Sequence, residues 1–277
     1  MKSKLGILAL GIFMAIQAGT ASANTQDDIV ALQAAVAALT ARVVQLEAYA
    51  PVELEGRLSA VEANTALQLD GYVGVDTNSI NGLAGPHVIF TGANFHVRDG
   101  SGATWGYPSP VGLGNLIVGY NENNAANSRL RTGSHNFVVG LSHEFTGYAG
   151  FLAGDNNAVV ANFASISGGS GNRAEAEYSS ISGGAGNITS GGNSSVSGGA
   201  FNVASGSNSS VSGGNENVAG GYAASVSGGR GNTTANDWAS VSGGQNNIVS
   251  GMSSSISGGA GLTVSDHFFW AASGTLF

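Results

Sequence analysis

Residues that could catalyse a reaction or bind a metal are few in this sequence and lie far apart. The pair His143-Glu144 matches half of the zinc motif H-E-x-x-H, but the second histidine is missing and the context favours strand and turn over helix. The other histidines are scattered outside the repeated region: His87, His96, His135 and His267. Because catalysis needs groups that converge, we predict no catalytic residues, no metal site and no cofactor.

The abundant serines and glycines also lack the spacing of known catalytic and ion-binding motifs. No G-x-S-x-G elbow with Asp and His partners is evident. Calcium-binding rolls need Asp on a nine-residue period, and phosphate-binding loops need a helix after the glycines. This chain has Asn at its glycine-rich corners on a fifteen-residue period, so the sequence predicts a protein that is not an enzyme.

A strict repeat organises the second half of the chain. Seven aliphatic residues follow one another at intervals of fifteen: Ile166, Ile181, Val196, Val211, Val226, Val241 and Ile256. Each is preceded by Ser and followed by Ser-Gly-Gly. A unit this short and this rich in Gly cannot form a pair of helices. The repeat predicts an all-β fold, a parallel β-roll or β-solenoid of fifteen-residue coils over 164–261.

Each coil has an inside and an outside. In Ser195-Val196-Ser197 the alternation of a strand puts the valine inside and both serines outside, and the glycine pair that follows forms the corner. Six residues after each aliphatic lies an asparagine, up to Asn247, and Leu262 breaks the series. This column predicts a buried amide ladder between coils; the alternative is a row of exposed, ligand-binding amides.

A second strand in each coil has neighbouring apolar residues such as Val203-Ala204 and Ile248-Val249. Neighbours on a strand point to opposite sides, so one apolar column must face outward. The interior is thin, and ordering each residue costs about 1.5 kcal/mol. The sequence therefore predicts that the roll associates with other chains.

The N-terminus has the features of a secretory signal peptide, residues 1–23. Lys2 and Lys4 precede an apolar run, and Ala21-Ser22-Ala23 forms a cleavage site. No cysteine is present, which excludes a lipid anchor on cysteine and disulfides. Cleavage leaves seven Arg against seventeen acidic residues, a net charge of −10. We predict a secreted or cell-surface protein of a Gram-negative type bacterium, with no nucleic-acid partner and no membrane span in the mature chain.

Residues 24–68 carry a heptad pattern. Apolar residues alternate spacings of three and four over three heptads: Ile29, Leu32, Val36, Leu39, Val43, Leu46 and Ala50. Pro51 predicts an interruption, after which Leu54, Leu58 and Val61 continue the pattern in a second helix. We expect a parallel coiled-coil stalk; the alternative is a helical hairpin packed on the body. We infer three helices in the coiled coil, and so a homotrimer, from the bundle of three rolls expected for the solenoid and not from the heptad positions.

Three further segments complete the chain. Residues 69–111 form a connector with the first strands, and 112–163 contain irregular early coils, since their apolar runs end in glycine but are twenty-one and fourteen residues apart. Residues 262–277 are rich in aromatic residues, including Phe268, Phe269, Trp270 and Phe277. Because the open end of a solenoid needs to be covered, we predict a C-terminal aromatic cap.

The repeat [AS]-S-[IV]-S-G-G-x-x-N-x-A-x-G, as in Ser194–Gly206, resembles the YadA-like head repeats of trimeric autotransporter adhesins. The resemblance covers roughly 110–277 and implies a left-handed parallel β-roll that trimerises and binds host matrix or other cells. Here the repeat has fifteen residues instead of fourteen, the helical segment precedes the head, and we find no translocator barrel after it. Gly112–Glu122 and Arg131–Gly140 also resemble a group of uncharacterised exported bacterial proteins, which implies no activity.

One function that fits is a trimeric fibre or adhesin head. Its repeats would be scaffold, and its ligand would be host matrix, a glycan or another cell-surface molecule. Specificity would then lie in the variable exposed positions of the repeats, which are Arg173, Tyr178, Glu216, Tyr222, Arg230 and Trp238. A tailspike-like glycan hydrolase fits less well because paired carboxylates at a groove are missing.

The alternative function is binding to ice or another crystalline surface. The outward serines predict a flat lattice of hydroxyls spaced about 4.8 Å by about 7 Å. The serines of this face in the central coils are Ser195, Ser197, Ser210, Ser212, Ser225, Ser227, Ser240 and Ser242. Plant ice-binding rolls with N-x-V-x-G repeats resemble Asn247–Gly251. Serine is less suited than threonine, whose methyl group orders water beside the hydroxyl.

Overall fold

The computed structural model describes residues 23–64, 69–105, 111–123 and 129–272. The chain divides into two compact units, Met1–Phe95 and His96–Phe277. The predicted signal peptide, apart from Ala23, lies outside the described residues.

The first unit contains one long helix, α1, from Ala23 to Glu62. The prediction of two helices separated at Pro51 is therefore wrong. Proline removes one main-chain hydrogen bond at a cost of about 3 kcal/mol, but the Ala, Leu and Glu residues on both sides are good helix formers. Within α1, the stretch Gln26–Glu47 is long and apolar enough to cross a membrane by length and composition alone, a test that signal sequences also pass.

After α1, the first unit contains a two-stranded antiparallel sheet. Strand β1 (Val73–Asp76) pairs with β2 (His87–Phe90), with Val73 opposite Phe90. The segment predicted as a connector with the first strands, 69–111, thus contains these two strands, which form a two-stranded sheet of their own.

The second unit is a parallel β-solenoid, as the repeat predicts. Each regular coil contributes one short strand to each of two sheets. The first, eleven-stranded sheet contains β3 (Leu116–Val118), β4 (Phe137–Leu141), β6 (Phe151–Asp155), β8 (Ser165–Ile166), β10 (Ser180–Ile181), β12 (Ser195–Val196), β14 (Ser210–Val211), β16 (Ser225–Val226), β18 (Ser240–Val241), β20 (Ser255–Ile256) and β22 (Trp270–Ala271).

The second, nine-stranded sheet lies between these strands in sequence. It contains β5 (Glu144–Phe145), β7 (Ala158–Val159), β9 (Arg173–Ala174), β11 (Ile188–Thr189), β13 (Val203–Ala204), β15 (Val218–Ala219), β17 (Thr233–Thr234), β19 (Ile248–Val249) and β21 (Thr263–Val264). From β8 to β20 every strand pairs with its copy fifteen residues later, as Val196 does with Val211. The early coils are irregular, as predicted: Leu116 pairs with Phe137, and Phe137 with Phe151.

The interior of each coil is narrow. Val196 from the first sheet and Ala204 from the second are buried, together with Asn202 and Ser194. Val203 lies half-buried on the outside of the second sheet. On the outside of the first sheet, the residues before and after each buried aliphatic residue are serines. The predicted inward and outward assignments are thus confirmed, and half of the four buried side chains in this coil are polar.

The asparagine column is a buried ladder, so the alternative of exposed amides is wrong. The Oδ1 atom of Asn202 accepts a hydrogen bond from the backbone N–H of Asn217 at 3.0 Å. Its Nδ2 atom donates to the carbonyls of Gly198 and Gly214, both at 3.0 Å. The predicted bonding of one amide to the next is replaced by side-chain bonds to backbone groups, which satisfies the corner as well as the side chain.

A last coil takes the place of the predicted C-terminal cap. Ile248 pairs with Thr263 and Ser255 pairs with Trp270, so residues 262–272 continue the register instead of forming a separate element. Strand pairing satisfies the N–H and C=O groups of the preceding coil, which aromatic side chains alone could not do. Residues 273–277 of the predicted cap, including Phe277, lie outside the described residues.

Candidate functional site

The outer surface of the first sheet carries two columns of serine hydroxyls, which we call the serine face and define as the outward residues from Ser165 to Ser257. All eight predicted ice-face residues belong to it. The column of Ser195 is half-buried and the column of Ser197 is exposed. Parallel pairing with a fifteen-residue register holds the rows at the interstrand distance of about 4.8 Å.

Aromatic side chains limit the serine face at both ends. The rings of Phe137 and Phe151 lie at one end with their centroids 5.5 Å apart. At the other end the indole Nε1 atom of Trp270 donates to the hydroxyl of Ser257 at 2.7 Å. The serine face is therefore a bounded strip. Its Trp270 end lies in the segment predicted as the aromatic cap, whereas the boundary at Phe137 and Phe151 was not predicted.

The outer surface of the second sheet carries an aliphatic column, which we define by the outward residues Ile188, Val203, Val218, Thr233 and Ile248. Each is the outward residue of its strand. This confirms that one apolar column faces outward.

Arg173 stands in line with the aliphatic column, but its charge is already paired. Its guanidinium lies 3.5 Å from the carboxylate of Glu144 and also bonds to Glu175. Glu144 in turn pairs with Arg129 at 3.2 Å. This network suits a stabilising role at the start of the second sheet more than capture of a ligand.

Glu216 and Arg230 lie at the corner between the two sheets. Their side chains approach to 3.6 Å and remain more than half exposed. An exposed pair of this kind contributes less than about 1 kcal/mol to stability. Both groups thus remain accessible to a partner.

Tyr178, Tyr222 and Trp238 lie on a third side of the coil, the turn side, which we define as the segment that links the second strand to the next first strand. The rings of Tyr222 and Trp238 are 5.8 Å apart and nearly perpendicular. Tyr178 instead stacks on Phe163 at 5.0 Å. The six predicted surface residues therefore occupy three separate places, and the turn-side aromatics form the largest group among them.

His143 is a structural residue. It is buried in the column that asparagine fills in later coils, where Nδ1 accepts from the N–H of Asn157 at 3.3 Å and Nε2 lies 3.0 Å from the Val139 carbonyl. Because a backbone N–H can only donate, Nε2 carries the proton. Burial lowers the pKa of His143, since it disfavours the charged imidazolium.

Asp99 takes part in a local turn and lies 3.4 Å from His135. Hydrogen bonds from the Ser101 side chain and backbone lower the pKa of Asp99, which makes Asp99 the acceptor of a local turn. Among the described residues, no group of three His, Asp or Glu side chains is arranged to hold a metal ion.

Comparison with known proteins adds no assignment. No protein-family model matches the chain, and a search of curated proteins finds no match either. The surfaces described above are therefore the basis on which a function can be argued.

Proposed function

We propose that this chain is an exported, non-enzymatic structural or adhesion protein that works as a homotrimeric fibre. One observation carries the proposal: no side chain described between residues 26 and 95 is buried. Helices in proteins gain most of their stability by packing an apolar face, and an isolated two-stranded hairpin is marginally stable at best, so this unit lacks the core that would stabilise it. Association with further copies would supply the missing core.

The helix has the pattern that association in a coiled coil requires. Leu32, Leu39 and Leu46 repeat every seven residues, and each exposes more than half of its side chain in a single chain. Ile29, Val36 and Val43 form the second line of the same seam and are half-exposed. Packing such a seam against its own copies removes apolar surface from water at about 25 cal/mol per Å².

The aliphatic column supports association through the solenoid as well. It is the one long apolar column on the regular coils, whereas the serine face is hydroxyl-rich and the turn side is mixed. A coil with one apolar side suits a closed ring of copies around a central axis, and three such rolls, left-handed by resemblance to the adhesin heads, are the arrangement we propose. Export rests on the signal peptide predicted at 1–23.

Sedimentation of residues 24–277 tests this proposal. Leu39→Asp places a charge in the helical seam, and Ala41→Asp places the same charge on the opposite face two residues away. We expect a trimer for the wild type and Ala41→Asp, and dissociation for Leu39→Asp. A monomeric wild type would overturn the proposal.

Binding to ice or a crystalline surface is the second candidate function. The regular rows of the serine face, bounded by Phe151 and Trp270, favour it. If it is correct, the purified protein will show thermal hysteresis and enter growing ice, and Ser212→Lys in the middle of the strip will abolish both effects. Absence of hysteresis in the wild type excludes this candidate.

A further inference from the structure

The turn side holds one residue per coil in the left-handed conformation. These residues have φ between 52° and 59°, and they are Phe163, Tyr178, Asn193, Asn208, Ala223, Trp238, Ser253 and Phe268. This conformation costs roughly 1–2 kcal/mol for most residues, whereas Gly and Asn adopt it readily. Asn193 and Asn208 therefore suit the position, and the aromatic residues do not.

Phe163 is half-buried between Tyr148 and Tyr178, but burial does not account for Tyr178 and Trp238 at these strained positions. Tyr178 is 55% exposed, Trp238 is 53% exposed, and Tyr222, which contacts Trp238, is 46% exposed. Ala223 and Ser253 adopt the same conformation, so the turn imposes it in every coil, and the large exposed rings are what distinguish Tyr178 and Trp238. Exposed Tyr and Trp side chains are enriched on binding surfaces.

The two aromatic groups enclose a polar interval. Between Tyr178 and Tyr222 the turn side carries the exposed amides of Asn193 and Asn208. Beyond it, the Asp237 carboxylate accepts the backbone N–H of Tyr222 at 2.9 Å. The coils of Tyr178 and Trp238 are four steps apart, a distance of about 19 Å at about 4.8 Å per step.

We propose that the turn side from Tyr178 to Trp238 binds a neutral oligosaccharide, with Tyr222 and Trp238 as the main platform and Tyr178 as the second. The C–H groups of a sugar carry partial positive charge and pack on the electron-rich face of an aromatic ring. Asparagine amides can both donate to and accept from sugar hydroxyls. The acidic net charge disfavours sulfated or sialylated sugars. This inference rests on the proposed adhesion function and names its class of ligand.

Asparagine substitutions test the site without disturbing the turn, because the same column already contains Asn193 and Asn208. The full mature chain is applied to an array of neutral hexasaccharides of glucose, mannose, galactose, xylose and N-acetylglucosamine, and each bound sugar is titrated by calorimetry. We expect Trp238→Asn to weaken binding at least tenfold and Tyr178→Asn to weaken it less. Phe268→Asn, with the same backbone conformation outside the interval, leaves the affinity unchanged.

Thermal unfolding of the same variants separates recognition from structure. We expect Trp238→Asn to keep or raise the Tm, since asparagine fits the left-handed position better. A lower Tm of Trp238→Asn with unchanged sugar affinity would show that the aromatic pair is structural and would overturn the inference. The inference also fails if the wild type binds no neutral sugar, or if it binds anionic sugars alone. If one of these negative results is found while the wild type and the variants still sediment as trimers, the glycan inference fails and the proposed function stands. A monomeric wild type refutes the proposed function itself.

Discussion

The backbone N–H of Asn157 donates to the Nδ1 atom of His143, 3.3 Å away, so that a histidine takes the place of asparagine in the buried ladder. In the next step of the same column, the N–H of Asn172 donates to Oδ1 of Asn157 at 2.8 Å. Each side chain accepts one N–H and donates to the carbonyl four residues before it, and Asn157 donates also to the Gly169 carbonyl at 3.0 Å. The neutral imidazole thus substitutes for an amide with two differences: it has a single N–H to donate, and it titrates.

This difference predicts a loss of stability in mild acid. The pKa of His143 is lowered in the folded state, so the unfolded chain binds a proton more readily as the pH falls below the ordinary value of about 6.5. The contribution of neutral His143 to the stability of the fold is complete above that pH and decreases below it, because a protonated Nδ1 would face the Asn157 N–H donor. We expect the Tm to fall between pH 7.5 and pH 5, and to fall less in His143→Asn.

All other ionisable groups are the same in the two proteins, so the difference between the two Tm profiles isolates His143. Parallel profiles for the wild type and His143→Asn would show that this histidine does not couple stability to pH.

Removal of one ladder amide should destabilise the solenoid strongly. Asn202→Ala leaves the Asn217 N–H and the Gly198 and Gly214 carbonyls without this partner. Since an unsatisfied buried group costs about 1–3 kcal/mol, we expect the free energy of unfolding to drop by about 3 kcal/mol or more in urea titrations. Asn208→Gly, on the exposed turn, should change it by less than about 1 kcal/mol. Equal effects of the two substitutions would contradict the ladder.

Two adjacent glycines of one corner differ sharply in what they tolerate. A Cβ atom on Gly199 would lie 2.1 Å from the Gly214 carbonyl oxygen, and its φ is +82°, whereas a Cβ on Gly198 meets nothing within 4 Å. We therefore expect Gly199→Ala to lower the free energy of unfolding by more than about 3 kcal/mol, and Gly198→Ala by less than about 1 kcal/mol. Circular dichroism during urea unfolding measures both, and a comparable loss for Gly198→Ala would contradict the corner geometry.

The regular coils were predictable from sequence because one period determines everything about them. Once Val196 is placed inside, the fifteen-residue repeat fixes the inward valines, the glycine corner and the buried asparagine together. The helix at Pro51 was not predictable in the same way, since a local rule for proline competed with many favourable neighbours. The C-terminal coil was not predicted because Phe269 and Trp270 replace the serines of the repeat, although the backbone keeps the same register.

The candidate sites were less predictable than the fold. Tyr178 and Trp238 are exposed as predicted, yet their shared left-handed backbone is visible in sequence only when the turns are aligned with Asn193 and Asn208. The sequence gives no sign that the charge of Arg173 is paired, because its partner Glu144 comes from another coil. Side-chain contacts of this kind depend on how the irregular early coils pair with the regular ones, and the repeat period does not determine that register.

The solenoid surface that contacts other copies can be identified with one pair of lysine substitutions. Val218→Lys places a charge in the middle of the aliphatic column, and Ser212→Lys places the same charge on the serine face of the same coil. If the aliphatic column lies between copies, Val218→Lys converts the trimer into smaller species in sedimentation velocity, because a lysine charge cannot be buried without a partner. Ser212→Lys then leaves the trimer intact. The reverse result would place the serine face between copies, where it is covered and cannot bind ice.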